Sequence, residues 1–275
     1  MKKALIVLPT YNEKENVSTL IPAIFEITKN ISDWEIEILV VEDNSPDGTA
    51  DAVADLQKKY SGLHMIQGQK EGLGKAYQRG FAYGIKHIAP ESIFEMDSDW
   101  QHDPHIIPDF LKKIDEGADF VIGSRFIKGG SIPANWGLHR KIYSIGANIG
   151  MMIGFMKFSI HDWTSGFRAM RASFIEKTIH RYTPYDSYIF QIAILDNAVK
   201  EHLNIAEVPL NFGDRKVGTS KIPAFQYIFN IIFYVLQNSS FIRFAIVGFI
   251  GAAIDFGGSY ILHEVLLLSI VISTI

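Results

Sequence analysis

Short apolar runs alternate with longer amphipathic segments through the first part of the chain, and this alternation limits the possible folds more than any other feature. The runs that predict strands are Ala4–Leu8, Glu35–Val41, Leu63–Gln67, Ser92–Met96 and Asp119–Gly123. The segments that predict helices between them include Val17–Lys29, Ala50–Tyr60 and Lys75–His87. Nearly continuous apolar runs are typical of parallel strands covered by helices on both faces. We therefore expect an α/β fold with a Rossmann-like, mostly parallel sheet.

Polar clusters stand directly after three of these predicted strands. Thr10–Glu13 follows the first, Glu42–Ser45 follows the second and Asp97–Asp99 follows the fourth. Because ligands bind beyond the carboxyl ends of the strands in open parallel sheets, we expect the three clusters to converge on one site.

Composition narrows the classes of function. The 275 residues include no cysteine, which excludes a disulfide framework, a thiolate zinc site and a cysteine nucleophile. Lysine and arginine total 26 against 30 aspartate and glutamate, a formal net charge of −4. A chain with this balance has no overall positive field, so we expect no nucleic-acid partner and only local anion sites.

Charged side chains become rare after Lys221. Between 222 and 275 the residues able to carry side-chain charge are Arg243, Asp255, His263 and Glu264. The run Phe244–Leu262 approaches the ~20 apolar residues that cross a bilayer. We interpret this run as a membrane span, and the alternative is the core helix of a soluble protein. The interpretation separates a globular domain, 1–221, from a membrane-interface helix and transmembrane segment, 222–275.

The flanks of the predicted span indicate its orientation. Lys2 and Lys3 precede an apolar stretch of only about five residues, which is too short for a secretory signal. Arg243 precedes the span and Glu264 follows it, so we expect the globular domain on the cytoplasmic side of the membrane. A second apolar run, Val265–Ile275, holds only about eleven residues, short of a full span. We therefore expect the membrane region to be truncated there.

A glycine-rich segment, Gly72–Lys75, has part of a phosphate-loop pattern. The full pattern requires glycine at 69 and serine or threonine at 76, where the chain has Gln69 and Ala76. The third small residue of the dinucleotide fingerprint would fall at Tyr77. Kinase and dehydrogenase functions are therefore disfavoured. A turn of this kind is either an amide donor site for phosphate or an ordinary strand-to-helix connection.

Asp97 and Asp99 form the strongest local signal. Carboxylates two residues apart, just beyond a strand, can turn toward one cation, and their oxygens suit Mg²⁺ or Mn²⁺. Such an ion would bind a diphosphate, and Gln101 could complete the site. A solvated acidic turn is the alternative for an isolated pair. We interpret His102 and His105 as helix-entry or surface residues.

Four motifs taken together resemble an inverting family-2 glycosyltransferase of the GT-A fold. They are Leu8–Glu13, Val41–Thr49, Gly72–Gly74 and Asp97–His102. The subgroup that the chain resembles is that of the dolichyl-phosphate mannosyltransferases, which are polyprenyl-phosphate glycosyl synthases. The chain departs from the subgroup at Ser98, usually alanine, and at Trp100, usually aliphatic. The segment after Lys221 resembles the start of a small multi-helix membrane domain.

The resemblance implies roles for individual residues. It assigns the donor nucleotide to Pro9, Tyr11, Glu13, Asp43, Gly72 and Asp97. It assigns a divalent metal, Mg²⁺ or Mn²⁺, to Asp97, Asp99 and Gln101. It assigns the acceptor phosphate to Arg125, Arg140, Ser144, Arg215 and Lys221. The implied catalytic residues are Asp97, Asp99 and Arg125.

The helical stretch Leu138–Lys157 has a polar stripe, because Arg140, Ser144 and Asn148 recur at four-residue spacing. Its other positions are strongly apolar. The stretch is either a helix at a bilayer surface or a buried core helix. Asp162 has either a direct role in the site or a structural role as the partner of an arginine.

The resemblance implies transfer of a hexosyl group, mannosyl from GDP-mannose, to dolichyl or polyprenyl phosphate with inversion. A phosphate monoester, with a second pKa of ~6, is already anionic and needs no general base. One alternative is the same reaction with UDP-glucose or another donor, and a second is a membrane protein that binds nucleotide sugars without turnover. A processive polysaccharide synthase is disfavoured, because the chain has no Gln-x-x-Arg-Trp motif.

Overall fold

The computed structural model describes residues 1–185, 187–213 and 224–265. Within them, one seven-stranded sheet has the order β3-β2-β1-β4-β6-β5-β7. The strands are β1 (Lys2–Thr10), β2 (Trp34–Glu42), β3 (Leu63–Gln67), β4 (Ser92–Glu95), β5 (Phe120–Ser124), β6 (Arg168–Arg171) and β7 (Ile205–Pro209). All five strands expected from the apolar runs are present.

The helices lie on both faces of this sheet and extend beyond it. They are α1 (Lys14–Thr28), α2 (Thr49–Gln57), α3 (Leu73–His87), α4 (Ile107–Asp115), α5 (Leu138–Phe155), α6 (Ala172–Thr178), α7 (Ile189–Lys200), α8 (Ala224–Asn238) and α9 (Ser240–Tyr260). The mixed α/β architecture confirms the expected fold class.

The direction of β6 decides which loops reach the site. Strands β1 to β4 are parallel to one another, whereas β6 runs antiparallel to both β4 and β5. The segment that precedes β6 therefore arrives at the edge where β4 and β5 end. Residues 160–167 consequently join the loops that follow the parallel strands.

Helix α3 packs unusually close to the sheet because it presents glycine to β1. A Cβ atom at Gly80 would lie 2.5 Å from Val7 Cγ1, and one at Gly84 would lie 2.2 Å from Leu5 Cδ2. No larger side chain fits at either position without a shift of the helix or of the facing β1 side chain. This packing holds α3 close against the middle of β1.

Helix α8 shares the core of the globular domain. Ile231, Tyr234 and Val235 are buried in the same apolar cluster as residues of α3 and α7, and the Tyr234 hydroxyl donates to Asp196 Oδ2 at 2.9 Å. Burial and the neighbouring carboxylate raise the pKa of Tyr234, so the hydroxyl stays protonated and remains a donor.

Helices α5 and α9 expose large apolar side chains. Helix α5 buries Asn148, Met151 and Gly154 on one face, so it is not a wholly buried core helix. On its other face the exposed side chains are Leu138, Ile142, Tyr143, Ile145, Ile149 and Ile153. Helix α9 has no residue buried by the described part of the chain, which disfavours the core-helix alternative. Among the described residues, 240–263 is the one helical segment long and apolar enough to cross a membrane.

Candidate active site

The loops that follow β1 and β2 are tied together into one rigid frame. Three backbone N–H groups of the first loop donate to side chains of the second: Asn12 to Ser45 at 3.0 Å, Glu13 to Thr49 at 3.0 Å and Lys14 to Asp47 at 3.1 Å. Glu42, which is buried, accepts from the backbone N–H groups of Asn44 and Ser45. The first two polar clusters of the sequence therefore do converge.

Asp43 lies in this frame and forms an ion pair with Arg79 of α3. Arg79 Nη1 also lies 3.3 Å from Glu71 Oε2, so Arg79 connects Asp43 to the loop before α3. Burial raises the pKa of Asp43, and the Arg79 charge opposes that rise only in part. Nearby, Lys70 Nζ stands 3.5 Å from the centre of the Tyr11 ring. No sequence motif marks Arg79, and the sequence analysis missed it.

The acidic loop after β4 folds back on the first motif. Trp100 has a left-handed backbone with φ of 64°, and its indole Nε1 donates to Thr19 Oγ1 at 3.0 Å. The Ser98 hydroxyl donates to the Pro9 carbonyl at 3.0 Å. Both departures from the family pattern, Ser98 and Trp100, thus fix the acidic loop to β1 and α1.

The two carboxylates of this loop have different surroundings. Asp97 is 28% exposed at its side chain, and its Oδ1 accepts from the Tyr77 hydroxyl at 3.3 Å. Asp99 is buried, and its Oδ1 accepts from the Gln101 backbone N–H at 3.1 Å. The Gln101 amide nitrogen donates to the Gly213 carbonyl at 3.2 Å, which attaches the loop to the segment after β7.

His102 is a buried support of the acidic loop, so its interpretation as a surface residue was wrong. It does precede Asp103, the cap of a short helical turn at Pro104–Ile106, as the helix-entry interpretation expected. Its ring is 1% exposed at the side chain and stacks on Phe167. Its Nδ1 accepts from the Asp97 backbone N–H at 2.9 Å. Burial lowers the pKa of His102 to about 4, so the ring is neutral at pH 7 with its proton on Nε2. His105 is exposed at the surface, as expected.

The acidic loop suits a hard divalent cation by its donor chemistry. Asp97, Asp99 and Gln101 offer two carboxylates and an amide oxygen, the ligand types that Mg²⁺ and Mn²⁺ prefer. Tyr77 and His102 restrict the orientation of Asp97, as outer partners of metal ligands do. Among the described residues, no group of three or more His, Cys, Asp or Glu side chains gathers in metal-binding geometry. A cation here would therefore need the Gln101 oxygen, water or phosphate oxygens as further ligands.

Arg125 follows β5 and is paired with Asp162 from the segment before β6. Its Nε donates to Asp162 Oδ2 at 2.7 Å and its Nη2 to Asp162 Oδ1 at 2.7 Å. The Arg125 backbone N–H also donates to Asp162 Oδ2 at 3.0 Å, and Nη2 donates to the Thr164 hydroxyl at 2.7 Å. Of the two alternatives for Asp162, the structure shows the pair with an arginine.

Aromatic rings connect Arg125 both to α5 and to the acidic loop. The Arg140 guanidinium is centred 3.8 Å from the Trp136 ring, and Trp136 meets Phe212 edge to face at 5.8 Å. Phe212 in turn lies 5.4 Å from the Arg125 guanidinium and 5.7 Å from the His102 ring. The two arginines and the acidic loop therefore surround one aromatic cluster.

Asn148, the last residue of the polar stripe of α5, contacts the segment that holds Arg125. The Asn148 amide nitrogen donates to the Ser144 carbonyl at 2.9 Å and to the Thr164 hydroxyl at 3.2 Å. The Asn148 amide oxygen accepts from the Trp163 backbone N–H at 2.7 Å. Arg215 and Lys221, the remaining predicted acceptor residues, lie outside the described residues.

Comparisons with known proteins show which family this sequence matches. Residues 5–179 match the family model described as Glycosyl transferase family 2. The chain is 35% identical over 226 residues to a polyprenol monophosphomannose synthase of Mycolicibacterium smegmatis, covering 80% of this chain and 81% of the relative. It is 32% identical over 262 residues to a dolichol-phosphate mannosyltransferase of Pyrococcus furiosus, covering 93% of this chain and 71% of the relative.

Solved structures share the fold. Glucosyl-3-phosphoglycerate synthase from Mycobacterium tuberculosis, in a complex with Mn²⁺, UDP and glucosyl-3-phosphoglycerate, superposes with a TM-score of 0.62. That match has 17% sequence identity and covers 86% of this chain and 80% of the other. A complex of the same synthase with Mn²⁺, UDP and phosphoglyceric acid gives the same TM-score of 0.62 at 18% identity. The likeness confirms a GT-A glycosyltransferase architecture.

Proposed function

Because the chain belongs to glycosyl transferase family 2, we propose that this glycosyltransferase transfers mannose from GDP-mannose to a dolichyl or polyprenyl phosphate, with inversion at the anomeric carbon. The names of the two relatives support the sugar and the lipid acceptor. One structural observation carries the proposal: the acidic loop and two arginines surround the same aromatic cluster. Such a site can hold two anions, a donor diphosphate and an acceptor phosphate, beside each other.

On the donor side, the frame after β1 and β2 would bind the base and ribose through Pro9, Tyr11, Glu13 and Asp43. The Gly72 turn at the start of α3 would offer backbone N–H groups to phosphate. Asp97, Asp99 and Gln101 would hold Mg²⁺ or Mn²⁺, whose charge favours departure of the diphosphate when it is bound. Tyr77 and His102 keep Asp97 oriented for that role.

On the acceptor side, Arg125, Arg140 and Ser144 would bind the phosphate, together with Arg215 and Lys221. In the reaction an acceptor phosphate oxygen forms a bond to the anomeric carbon, and the bond from that carbon to the nucleoside diphosphate breaks. The bonding electron pair leaves with the diphosphate. The attacking oxygen is already anionic, so the side chains need only hold the two groups in line.

The membrane-facing parts would place this site near its lipid acceptor. Helix α9 would span the bilayer, and the exposed apolar side chains of α5 and α8 would lie at its surface. The catalytic domain, 1–221, would face the cytoplasm, where nucleotide sugars are available. The segment 222–275 would serve as interface helix and transmembrane segment.

A donor screen with the full chain in detergent tests the proposed function. We expect labelled mannose to pass from GDP-mannose to a polyprenyl phosphate, and the anomeric configuration of the product, read by NMR, to be inverted. Lipid product from UDP-glucose in place of GDP-mannose would establish the alternative donor. Nucleotide-sugar binding without lipid product from any donor would refute transfer and favour a binding protein.

A further inference from the structure

Glu207 on β7 is not among the residues assigned above to donor or acceptor, yet its carboxylate binds the segment before β6. Its side chain is 9% exposed. Its Oε1 accepts from the backbone N–H groups of both His161 and Asp162, each at 3.1 Å. Its Oε2 lies 2.6 Å from His161 Nδ1. One carboxylate therefore fixes two consecutive peptide units and an adjacent ring.

The residue fixed in this way holds Arg125. Asp162 is fully buried and receives the Nε, Nη2 and backbone N–H groups of Arg125. In the pairing of β5 with β7, Glu207 stands opposite Ile122, three positions before Arg125. Glu207, Asp162 and Arg125 thus form one continuous hydrogen-bonded chain from β7 to the end of β5.

These hydrogen bonds control the orientation of Arg125, because Asp162 lies on a segment outside any helix or strand. Hydrogen bonds from backbone N–H groups to an ionised carboxylate are among the stronger polar contacts. Without Glu207, the backbone of 161–162 would lose the acceptor of two N–H groups, and Asp162 would gain freedom to shift. A shift of about 1 Å in a group that positions a reacting anion is enough to lower the rate substantially.

We propose that Glu207 is a positioning residue for the acceptor phosphate, which acts by holding Asp162 so that Arg125 keeps one orientation. The inference rests on the proposed function, in which Arg125 binds that phosphate. It predicts that Glu207 affects use of the acceptor and leaves binding of the donor unchanged. A merely structural ion pair would instead lower stability without separating the two substrates.

The test compares Glu207→Ala and Glu207→Gln with Asp119→Ala in the full chain. Asp119 is a matched control, because its carboxylate also accepts from an arginine, Arg171 Nε at 3.0 Å, and from a backbone N–H, that of Asn204 at 3.0 Å. Asp119 does so at the opposite end of β5. We expect Glu207→Ala to raise the KM for polyprenyl phosphate about tenfold, with unchanged calorimetric affinity for the nucleotide. Glu207→Gln, which keeps one acceptor oxygen, should recover part of the loss, and Asp119→Ala should behave as wild type.

Hydrogen exchange without substrate provides a second reading. Peptides that cover 160–165 and 124–127 should exchange faster in Glu207→Ala than in wild type, because the Asp162 and Arg125 N–H groups lose fixed acceptors. Unchanged exchange there, or an acceptor KM equal to that of Asp119→Ala, would refute the role of Glu207. If Glu207→Ala does not fold, Glu207→Gln carries the same comparison. A wild-type protein that transfers no sugar would refute the proposed function itself.

Discussion

Arg125 and Asp162 form a bidentate ion pair in which the carboxylate is fully buried and the guanidinium is 8% exposed. Removing one partner of such a pair leaves an uncompensated buried charge, whereas removing both leaves none. The two residues should therefore be strongly coupled in stability.

We expect Arg125→Met to lower the free energy of unfolding by about 3–5 kcal/mol. Asp162→Leu should cost a similar amount, and the double variant should be more stable than either single variant. Chemical denaturation followed by tryptophan fluorescence measures the three values. Strictly additive losses would show that the pair is not coupled and contradict the prediction.

Arg140 is exposed over the Trp136 ring, so its loss should cost little stability. If it binds the acceptor phosphate, Arg140→Ala should raise the acceptor KM by about tenfold or more, since a charge-assisted contact is lost. Arg140→Lys should recover only part, because an ammonium cannot reproduce the planar guanidinium. Acceptor-dependent kinetics measure both effects.

Lys141 is the control for this prediction. It is the neighbouring cation on α5, its Nζ donates to the Ala134 carbonyl at 2.7 Å, and it is not among the predicted phosphate contacts. Lys141→Ala should leave the acceptor KM near the wild-type value. Loss of donor affinity in Arg140→Ala with an unaltered acceptor KM would reverse our assignment of the two anion sites.

Asp99 tests the metal site. Asp99→Ala should abolish Mg²⁺-dependent or Mn²⁺-dependent binding of the nucleotide diphosphate, because a hard oxygen ligand is removed. Chelator should have the same effect on the wild type. Asp109, an exposed acidic residue at the start of α4, supplies the control, and Asp109→Ala should bind normally. Full turnover by Asp99→Ala in excess chelator would exclude a metal role.

The parts of this fold that were predictable from sequence are those whose signals are local. Strands β1 to β5 stand out because each is an apolar run. Strand β6 does not, because Arg168 and Arg171 bound it, and the contacts of the Arg168 guanidinium with the Gln191 and Trp163 carbonyls form only in the folded chain. The expectation of a mostly parallel sheet holds, with one antiparallel strand added.

In the candidate site, too, residues with a local sequence signal were predictable and residues positioned by distant packing were not. Asp97, Asp99 and Gln101 stand at alternate positions within five residues, so their proximity follows from sequence spacing. Arg79 belongs to no motif, and only the packing of α3 brings it to Asp43. His102 ends the Asp97–His102 motif, but the motif does not indicate that its ring is buried against Phe167. Composition placed the domain boundary at 221, yet the buried core continues into α8.

Because α8 buries one face in the core of the globular domain, the stability of a truncated protein should depend on whether α8 is kept. Deletion of 240–275 should leave a folded domain that binds nucleotide. Deletion of 222–275 removes the buried side chains Ile231, Tyr234 and Val235, at a cost of roughly 1.5–3 kcal/mol for each fully buried large side chain. Thermal unfolding and limited proteolysis of the two truncated proteins compare them. Equal stability of both would show that α8 is dispensable and that the core ends at the compositional boundary.

Because Asp43 is assigned to the donor nucleotide, we expect donor affinity to depend on the protonation of its carboxyl group. An ionised carboxylate accepts stronger hydrogen bonds from base N–H groups than a protonated carboxyl, and both of its oxygens can accept. Burial raises the pKa of Asp43. Donor affinity should therefore fall as the pH drops through that raised pKa. Arg79→Gln removes the cation that lowers the pKa of Asp43, so the fall should move to higher pH. Calorimetric titration of GDP across the acid range measures its position.

Glu71 provides a control variant that should shift the pKa of Asp43 in the opposite direction. Its negative charge raises the pKa of Asp43, so Glu71→Gln should move the fall in donor affinity to lower pH. The shift should be smaller than that of Arg79→Gln, because the Glu71 side chain is 60% exposed and solvent screens its charge. Asp43→Asn should weaken donor binding at every pH and abolish the fall in donor affinity at low pH. If the fall in donor affinity persists in Asp43→Asn, or shifts in the same direction in Arg79→Gln and Glu71→Gln, the titrating group is not Asp43.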